Sequence, residues 1–290
     1  MNPRERYLRC VRGEAVDRVP ISLEGLSYPT REALAREPDP LKRDVAERLF
    51  ERMHYGHGHR SGENRCLVTD PRYMRLVKVE EREGERIHTH EIDTPRGTLT
   101  DIRGWNPTSC TRWHVKHPVE TLADIEKIRS VPWELPEGLA PPDPADVPAG
   151  FEERGVWRTG VSSPMVCVAG MMPREMFLEL CLTEPALILD LTEICLERIL
   201  SLLDVVLANG VIEYVWVGGS EWLTPPMASP RIYEMLVQPQ EARIIERVHE
   251  AGAVCHVHCH GNVRAILDLV VARGADYFEP VEPPPEPGCC

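Results

Sequence analysis

The densest group of side chains able to do chemistry lies at residues 255–260, which hold three histidines and two cysteines. If this run is a strand, residues two apart share a face, so the histidines point one way and the cysteines the other. Two imidazoles at this spacing can bind one metal ion or transfer protons. We therefore predict His258 and His260 as catalytic and metal-binding residues, with His256 on the same face. The alternative is that they are hydrogen-bonded histidines of the core or rim.

A second group follows an apolar segment at residues 211–217. Glycines there allow the backbone to approach a ligand closely, and a carboxylate can bind a metal or accept a proton. We predict Glu221 as a catalytic residue and third metal ligand, and Gly219 and Ser220 as substrate-binding residues. The alternative for Glu221 is a solvated loop position.

Two carboxylates, Glu279 and Glu282, follow the last apolar segment of the chain. We predict that both bind substrate, and surface capping is the alternative. The histidine-rich segment at residues 54–59 is predicted to be a solvated loop, since glycines separate its histidines. His88 and His90 are predicted to be structural.

These groups require strands to position them, and the second half of the chain supplies them. Strands are predicted at residues 156–161, 211–217, 253–260 and 275–281, with helices between them. This alternation is typical of a parallel sheet, whose carboxyl-terminal edge gathers functional side chains. Periodicity alone allows either a TIM barrel or a doubly wound sheet.

The first half of the chain has a different pattern. Helices are predicted to begin at Pro3 and Pro40, with a strand at residues 19–23 between them. Alternating segments at residues 75–103 predict an antiparallel meander inserted outside the parallel sheet. The chain is predicted to be a single domain that covers residues 1–290. Its proline-rich residues 283–290 predict an irregular tail within that range.

Composition narrows the classes of partner and compartment. The net charge of −13 argues against a nucleic-acid or anionic-membrane surface. No apolar run is long enough to span a membrane. Because residues 1–13 are charged and lack an apolar core, we expect no signal peptide. Ten cysteines at no disulfide-framework spacing predict reduced thiols and a cytoplasmic protein. The expected partner is a small-molecule substrate.

Several segments, in order along almost the whole chain, are similar to the uroporphyrinogen decarboxylase-like superfamily. They are residues 4–20, residues 94–99, Ser229-Pro230, residues 258–262 and residues 279–284. This resemblance implies a TIM (β/α) barrel with its site at the carboxyl-terminal mouth. Because fewer than eight β/α units can be counted, either some strands are hidden in the first half of the chain or the barrel is incomplete at the C-terminus.

The resemblance implies two chemistries. Decarboxylases of the superfamily act on a tetrapyrrole without a cofactor, and its corrinoid-linked methyltransferases use zinc to activate a thiol. Residues 24–31 lack the Arg-Gln-Ala-Gly-Arg stretch of the true decarboxylases, and His260 stands where the methyltransferases have cysteine.

We therefore expect a metal-dependent methyltransferase with zinc as its cofactor. A corrinoid, a corrinoid protein or a methylated small molecule would be its partner or substrate. The first alternative is a decarboxylase of uroporphyrinogen or of a smaller carboxylic acid, and the second is a non-catalytic binding protein.

Overall fold

The computed structural model describes residues 1–23, 25–62 and 71–281, and within them the chain forms nine strands and eleven α-helices. The strands are β1 (Tyr55–Gly58), β2 (Met74–Arg82), β3 (Glu85–Thr94), β4 (Gly97–Asn106), β5 (Thr111–Lys116), β6 (Gly155–Ser162), β7 (Tyr214–Gly218), β8 (Val254–His258) and β9 (Tyr277–Glu279). The helices are α1 (Pro3–Val11), α2 (Arg31–Ala35), α3 (Pro40–Leu49), α4 (Leu122–Arg129), α5 (Phe151–Arg154), α6 (Pro164–Ala169), α7 (Arg174–Thr183), α8 (Pro185–Val206), α9 (Pro230–Leu236), α10 (Gln238–Glu250) and α11 (Leu267–Ala272).

Five parallel strands form one sheet, in the order β1-β6-β7-β8-β9. From β6 onward, helices separate consecutive strands, as the alternation in the sequence predicted. The fold is therefore of the α/β class. Register is fixed across the sheet, so that Gly218 on β7 lies opposite His258 on β8, and His258 lies opposite Glu279 on β9.

The two faces of the parallel sheet differ because side chains alternate along each strand. One face is apolar and packs against the helices that connect the strands. Its residues Val161, Val215, Val217, Cys255 and Val257 are all buried in the main core. The opposite face carries the polar and aromatic side chains described below.

Local sequence sets where the helices begin and divide. The side chain of Ser229 caps α9 by accepting from the Ile232 amide, and a proline follows at the first helical position. The helical segment between the strands predicted at residues 211–217 and 253–260 divides at Val237 into α9 and α10. Pro239, at the start of α10, explains the division because it lacks an amide hydrogen and clashes with the preceding turn.

The predicted meander is a four-stranded antiparallel sheet in the order β2-β3-β4-β5. It covers residues 74–116 and is therefore longer than the predicted segment 75–103. The main hydrophobic core extends to this sheet, because Ile92 and Leu99 are buried in the same cluster as Ile125 and Ile128 of α4. Thr121 caps the start of α4, where its side chain accepts a hydrogen bond from the Asp124 amide.

The parallel sheet has a linear order, and no pairing of β9 with β1 occurs within the described ranges. The strand predicted at residues 19–23 contributes a single parallel bridge between Ile21 and Met53. Pro20 limits pairing there because it has no amide hydrogen. A closed or incomplete TIM barrel thus stays a prediction, and the predicted tail at residues 283–290 lies outside the described residues. None of the described helices is both long and apolar enough to cross a bilayer.

Candidate active site

A cavity of about 910 Å³ lies on the polar face of the parallel sheet and is called here the central cavity. All five parallel strands contribute to its wall, together with residues of the N-terminal segment. The chemically active part of the wall comes from β6 to β9. Its side chains are Arg158, Tyr214, Trp216, His256, His258, Tyr277 and Glu279.

The carboxylate of Glu279 joins two histidines at the end of β8. Its Oε1 atom accepts a hydrogen bond from Nδ1 of His258 at 2.5 Å. The same oxygen lies 3.2 Å from Nε2 of His256. On the far side of His256, the hydroxyl of Tyr214 forms a hydrogen bond with Nδ1. These four side chains form a continuous polar chain along the cavity wall.

Burial sets the charge of His256. Its side chain is only 6% exposed, and desolvation lowers the pKa of this imidazole to about 4, although Glu279 opposes the shift. His256 is therefore neutral near pH 7, with Nδ1 hydrogen-bonded to Tyr214. His258 is more exposed, at 22%, and its Nδ1 is held by Glu279. This arrangement leaves Nε2 of His258 available for proton transfer in the cavity.

Arg158 supplies positive charge to the same cavity. A Cβ atom on Gly56 would lie 2.8 Å from Nε of Arg158, so the glycine on β1 gives the arginine side chain its space. Within the described ranges no carboxylate pairs with this guanidinium. Burial lowers the pKa of His54, and the positive charge of Arg158 lowers it further, to about 4. An unpaired guanidinium in a cavity is suited to bind an anionic group.

The predicted substrate-binding loop after β7 turns away from the cavity. Gly219 has a φ of 109° and packs against Val166 of α6, where a Cβ atom would lie 2.4 Å from Val166 Cγ1. The hydroxyl of Ser220 is fully buried and accepts from Tyr233. Their predicted role in substrate binding has no support from these positions. The strand alternation ends at Gly218, and a 3₁₀ helix follows at Ser220–Leu223.

Glu221 lies in this 3₁₀ helix and is not among the residues that line the central cavity. Its Oε2 atom is buried with no hydrogen-bond partner among the described residues. His260 follows β8 and is exposed, with its ring 4.6 Å from that of His258. In the part of the chain that the structure describes, no three His, Cys, Asp or Glu side chains converge to hold a metal ion. A zinc site formed by Glu221, His258 and His260 therefore stays a prediction.

Of the two carboxylates predicted to bind substrate, Glu279 lines the cavity and meets both histidines. Glu282 lies outside the described residues. The two cysteines of the histidine strand point away from the cavity, as the alternation predicted. Burial raises the pKa of the Cys259 thiol, whose Sγ lies 3.0 Å from Oγ1 of Thr224.

The histidine-rich segment at residues 54–59 was predicted to be a solvated loop, and this was wrong. Residues 55–58 form β1, a parallel strand paired with β6. Glycines favour loops locally, but here they allow close approach of neighbouring side chains. His88 and His90 lie on β3 with their rings 6.2 Å apart, outside the central cavity.

Sequence reasoning missed Arg158 and Tyr214. A charged residue between Val156 and Val161, within a predicted strand, was the available signal for Arg158, because a strand covered on both faces rarely carries an exposed charge. Tyr214 stands two residues before Trp216 and therefore shares its face.

Similarity to known proteins is found among solved structures. No protein-family model matches the chain, and no curated protein matches it. Among solved structures, a methyltransferase from Methanosarcina mazei is 13% identical, with a TM-score of 0.49. The match covers 96% of this chain and 75% of that chain.

Proposed function

We propose that the chain is an enzyme of the uroporphyrinogen decarboxylase-like superfamily that decarboxylates a small carboxylic acid in the central cavity. The observation that carries the proposal is the shared Glu279 oxygen between two imidazoles, in a cavity that also holds an unpaired guanidinium among the described residues. The sequence motifs in their superfamily order support the family assignment. The cavity's own side chains support the chemistry without a cofactor.

The proposed roles follow from charge and exposure. Arg158 binds a carboxylate that the substrate keeps, and His258, oriented by Glu279, transfers a proton through Nε2. The bond between the substrate carbon and a second carboxylate breaks, and carbon dioxide leaves. The electron pair of that bond forms a new C–H bond with the proton from His258, which then regains a proton from water. His256, neutral and bonded to Tyr214, lies against the same Glu279 oxygen that orients His258.

The test is carbon dioxide release from a panel of small mono- and dicarboxylic acids. The product formed in D₂O should carry one deuterium at the carbon that lost the carboxylate. We expect His258→Gln to reduce turnover about 100-fold or more, and Arg158→Met to raise KM for dicarboxylates. Binding of an acid without any release of carbon dioxide would instead favour the non-catalytic binding protein.

A second candidate is zinc-dependent methyl transfer with a corrinoid or methylated small molecule. The observation that favours it is the contact between the rings of His258 and His260, at 4.6 Å, since a pair of imidazoles is common in zinc sites. Zinc at about one ion per chain in purified protein, lost in His260→Ala, would support this candidate. Absence of zinc together with carbon dioxide release would exclude it.

A further inference from the structure

The indole of Trp216 lies along its own strand because residue 218 has no side chain. A Cβ atom on Gly218 would lie 2.3 Å from Cη2 of the indole and 2.4 Å from Cζ2. Residues two apart on a strand share a face, so a side chain at this position would displace the ring. On the neighbouring strand, a Cβ atom on Gly160 would approach Trp216 only to 3.4 Å. Gly218 therefore fixes the place of the indole in the cavity wall.

The indole lies between the cation and the imidazole of the proposed site. In the register of the sheet, Arg158 pairs with Tyr214, two residues before Trp216. His258 pairs with Gly218, two residues after it. Two residues of a strand span about 7 Å, which is close to the length of a benzene ring with one substituent. The ring of Trp216 is also 5.3 Å from that of His258.

We propose that the central cavity selects an aromatic carboxylic acid, whose planar ring stacks on Trp216 while its carboxylate pairs with Arg158. The inference rests on the proposed function and names its substrate class. A ring placed on Trp216 lies midway between the levels of Arg158 and His258, which are four residues, or about 13 Å, apart, so substituents at its two ends extend toward the guanidinium and the imidazole. An aromatic ring also suits the reaction when it carries a second carboxylate at the end nearer His258, while the carboxylate at Arg158 is kept. The proton from His258 adds to the ring carbon that bears this second carboxylate. The bond between that carbon and the second carboxylate then breaks, its electron pair restores the aromatic system, and carbon dioxide leaves.

The chain offers a matched pair of glycine variants. Gly218→Ala adds a methyl group where the indole lies, whereas a Cβ atom on Gly58, on the same cavity wall, has nothing within 4 Å. Neither glycine has a positive φ, so alanine fits the backbone at both positions. The two variants thus change the same residue type in one cavity and differ only in whether they displace Trp216.

The experiment compares two probes, benzoate and cyclohexanecarboxylate, which share a six-carbon ring and a carboxylate but differ in planarity. Calorimetry measures their affinities for the wild-type chain, Gly218→Ala, Gly58→Ala, Trp216→Leu and Arg158→Met. We expect the wild type to prefer benzoate about tenfold, which corresponds to a stacking energy of about 1.4 kcal/mol. Gly218→Ala and Trp216→Leu should lose this preference, and Gly58→Ala should keep it. If Gly218→Ala does not fold by circular dichroism, Trp216→Leu decides.

The outcomes separate this inference from the proposed function. Equal affinities for the two probes in the wild type, or failure of benzoate to bind, would overturn selection of an aromatic ring. If the wild type binds both probes equally and Arg158→Met weakens both equally, Arg158 still binds a carboxylate, but Trp216 does not select an aromatic ring. A third outcome is that Gly218→Ala and Trp216→Leu both lose the preference for benzoate, but no acid releases carbon dioxide. This result would support the site for an aromatic ring and reject decarboxylation.

Discussion

The Oε1 atom of Glu279 lies 2.5 Å from Nδ1 of His258, across the pairing of β9 with β8. A carboxylate in this position fixes the tautomer and the orientation of the imidazole. The same oxygen lies near His256, whose burial keeps it neutral. Glu279 therefore connects a neutral, buried imidazole with one that is free to exchange protons in the cavity.

Replacing Glu279 by glutamine should reduce kcat for carbon dioxide release about 100-fold or more, with little loss of fold. The amide has nearly the same shape, but its NH₂ group can donate to Nδ1 and so favour the other tautomer of His258. The kcat is measured at saturating substrate across pH. Glu250→Gln, at the exposed end of α10, is the control for loss of one negative charge. A kcat equal to that of the wild type would remove Glu279 from the mechanism.

The free energy of unfolding should decrease as the pH is lowered, partly because of His256. In the fold the pKa of His256 is lowered to about 4 by burial, whereas in the unfolded chain it is near its ordinary value of about 6.5. The unfolded chain therefore takes up the proton first, so this contribution is present above pH 6.5 and is lost as the pH falls toward 4. At pH 5 the loss from this residue is about 2 kcal/mol relative to pH 8.

The check is urea denaturation of wild type and His256→Gln at several pH values. The variant lacks the titrating group, so the difference in unfolding free energy between the two proteins should shrink by about 2 kcal/mol from pH 8 to pH 5. A difference that stays constant over this range would contradict a depressed pKa for His256.

Gly56→Ala should weaken substrate binding through Arg158. The added Cβ atom would meet Nε and Cδ of Arg158 at 2.8 and 2.9 Å, so the guanidinium must shift. Because the arginine side chain is flexible, the free energy of unfolding should fall by less than about 1 kcal/mol. We expect KM for the preferred acid to rise about tenfold with a smaller change in kcat. An unchanged KM would show that Arg158 does not bind substrate.

A buried ion pair should contribute more to the free energy of unfolding than a partly exposed one. Arg273 and Glu241 meet at 2.6 Å with side chains 0% and 1% exposed. Glu241→Gln leaves the guanidinium buried without its counter-charge and should destabilise the fold by about 3 kcal/mol. Asp204→Asn, which breaks a partly exposed pair with Arg247, should cost under about 1 kcal/mol. Denaturant unfolding of both variants measures the difference, and equal losses would contradict the prediction.

The sequence predicted the features that depend on neighbours along the chain. The opposite orientations of His258 and Cys259 follow from the two-residue period of a strand, which needs no knowledge of the rest of the fold. The caps of α4 and α9 follow from Thr121 and Ser229 in the same way. Strand–helix alternation likewise predicted the parallel sheet, because short connections leave few other arrangements.

Only the tertiary structure decided which side chains meet. Glu221 and Glu279 both stand near strand ends, yet one lies in a 3₁₀ helix off the cavity wall and the other bonds His258. The difference arises because side-chain direction is predictable only while the strand continues, and the chain after β7 turns at Gly218 and Gly219. Arg158 is 98 to 121 residues away along the chain from the imidazoles and Glu279, so the shared cavity depends on the register of four strands, which no local pattern encodes.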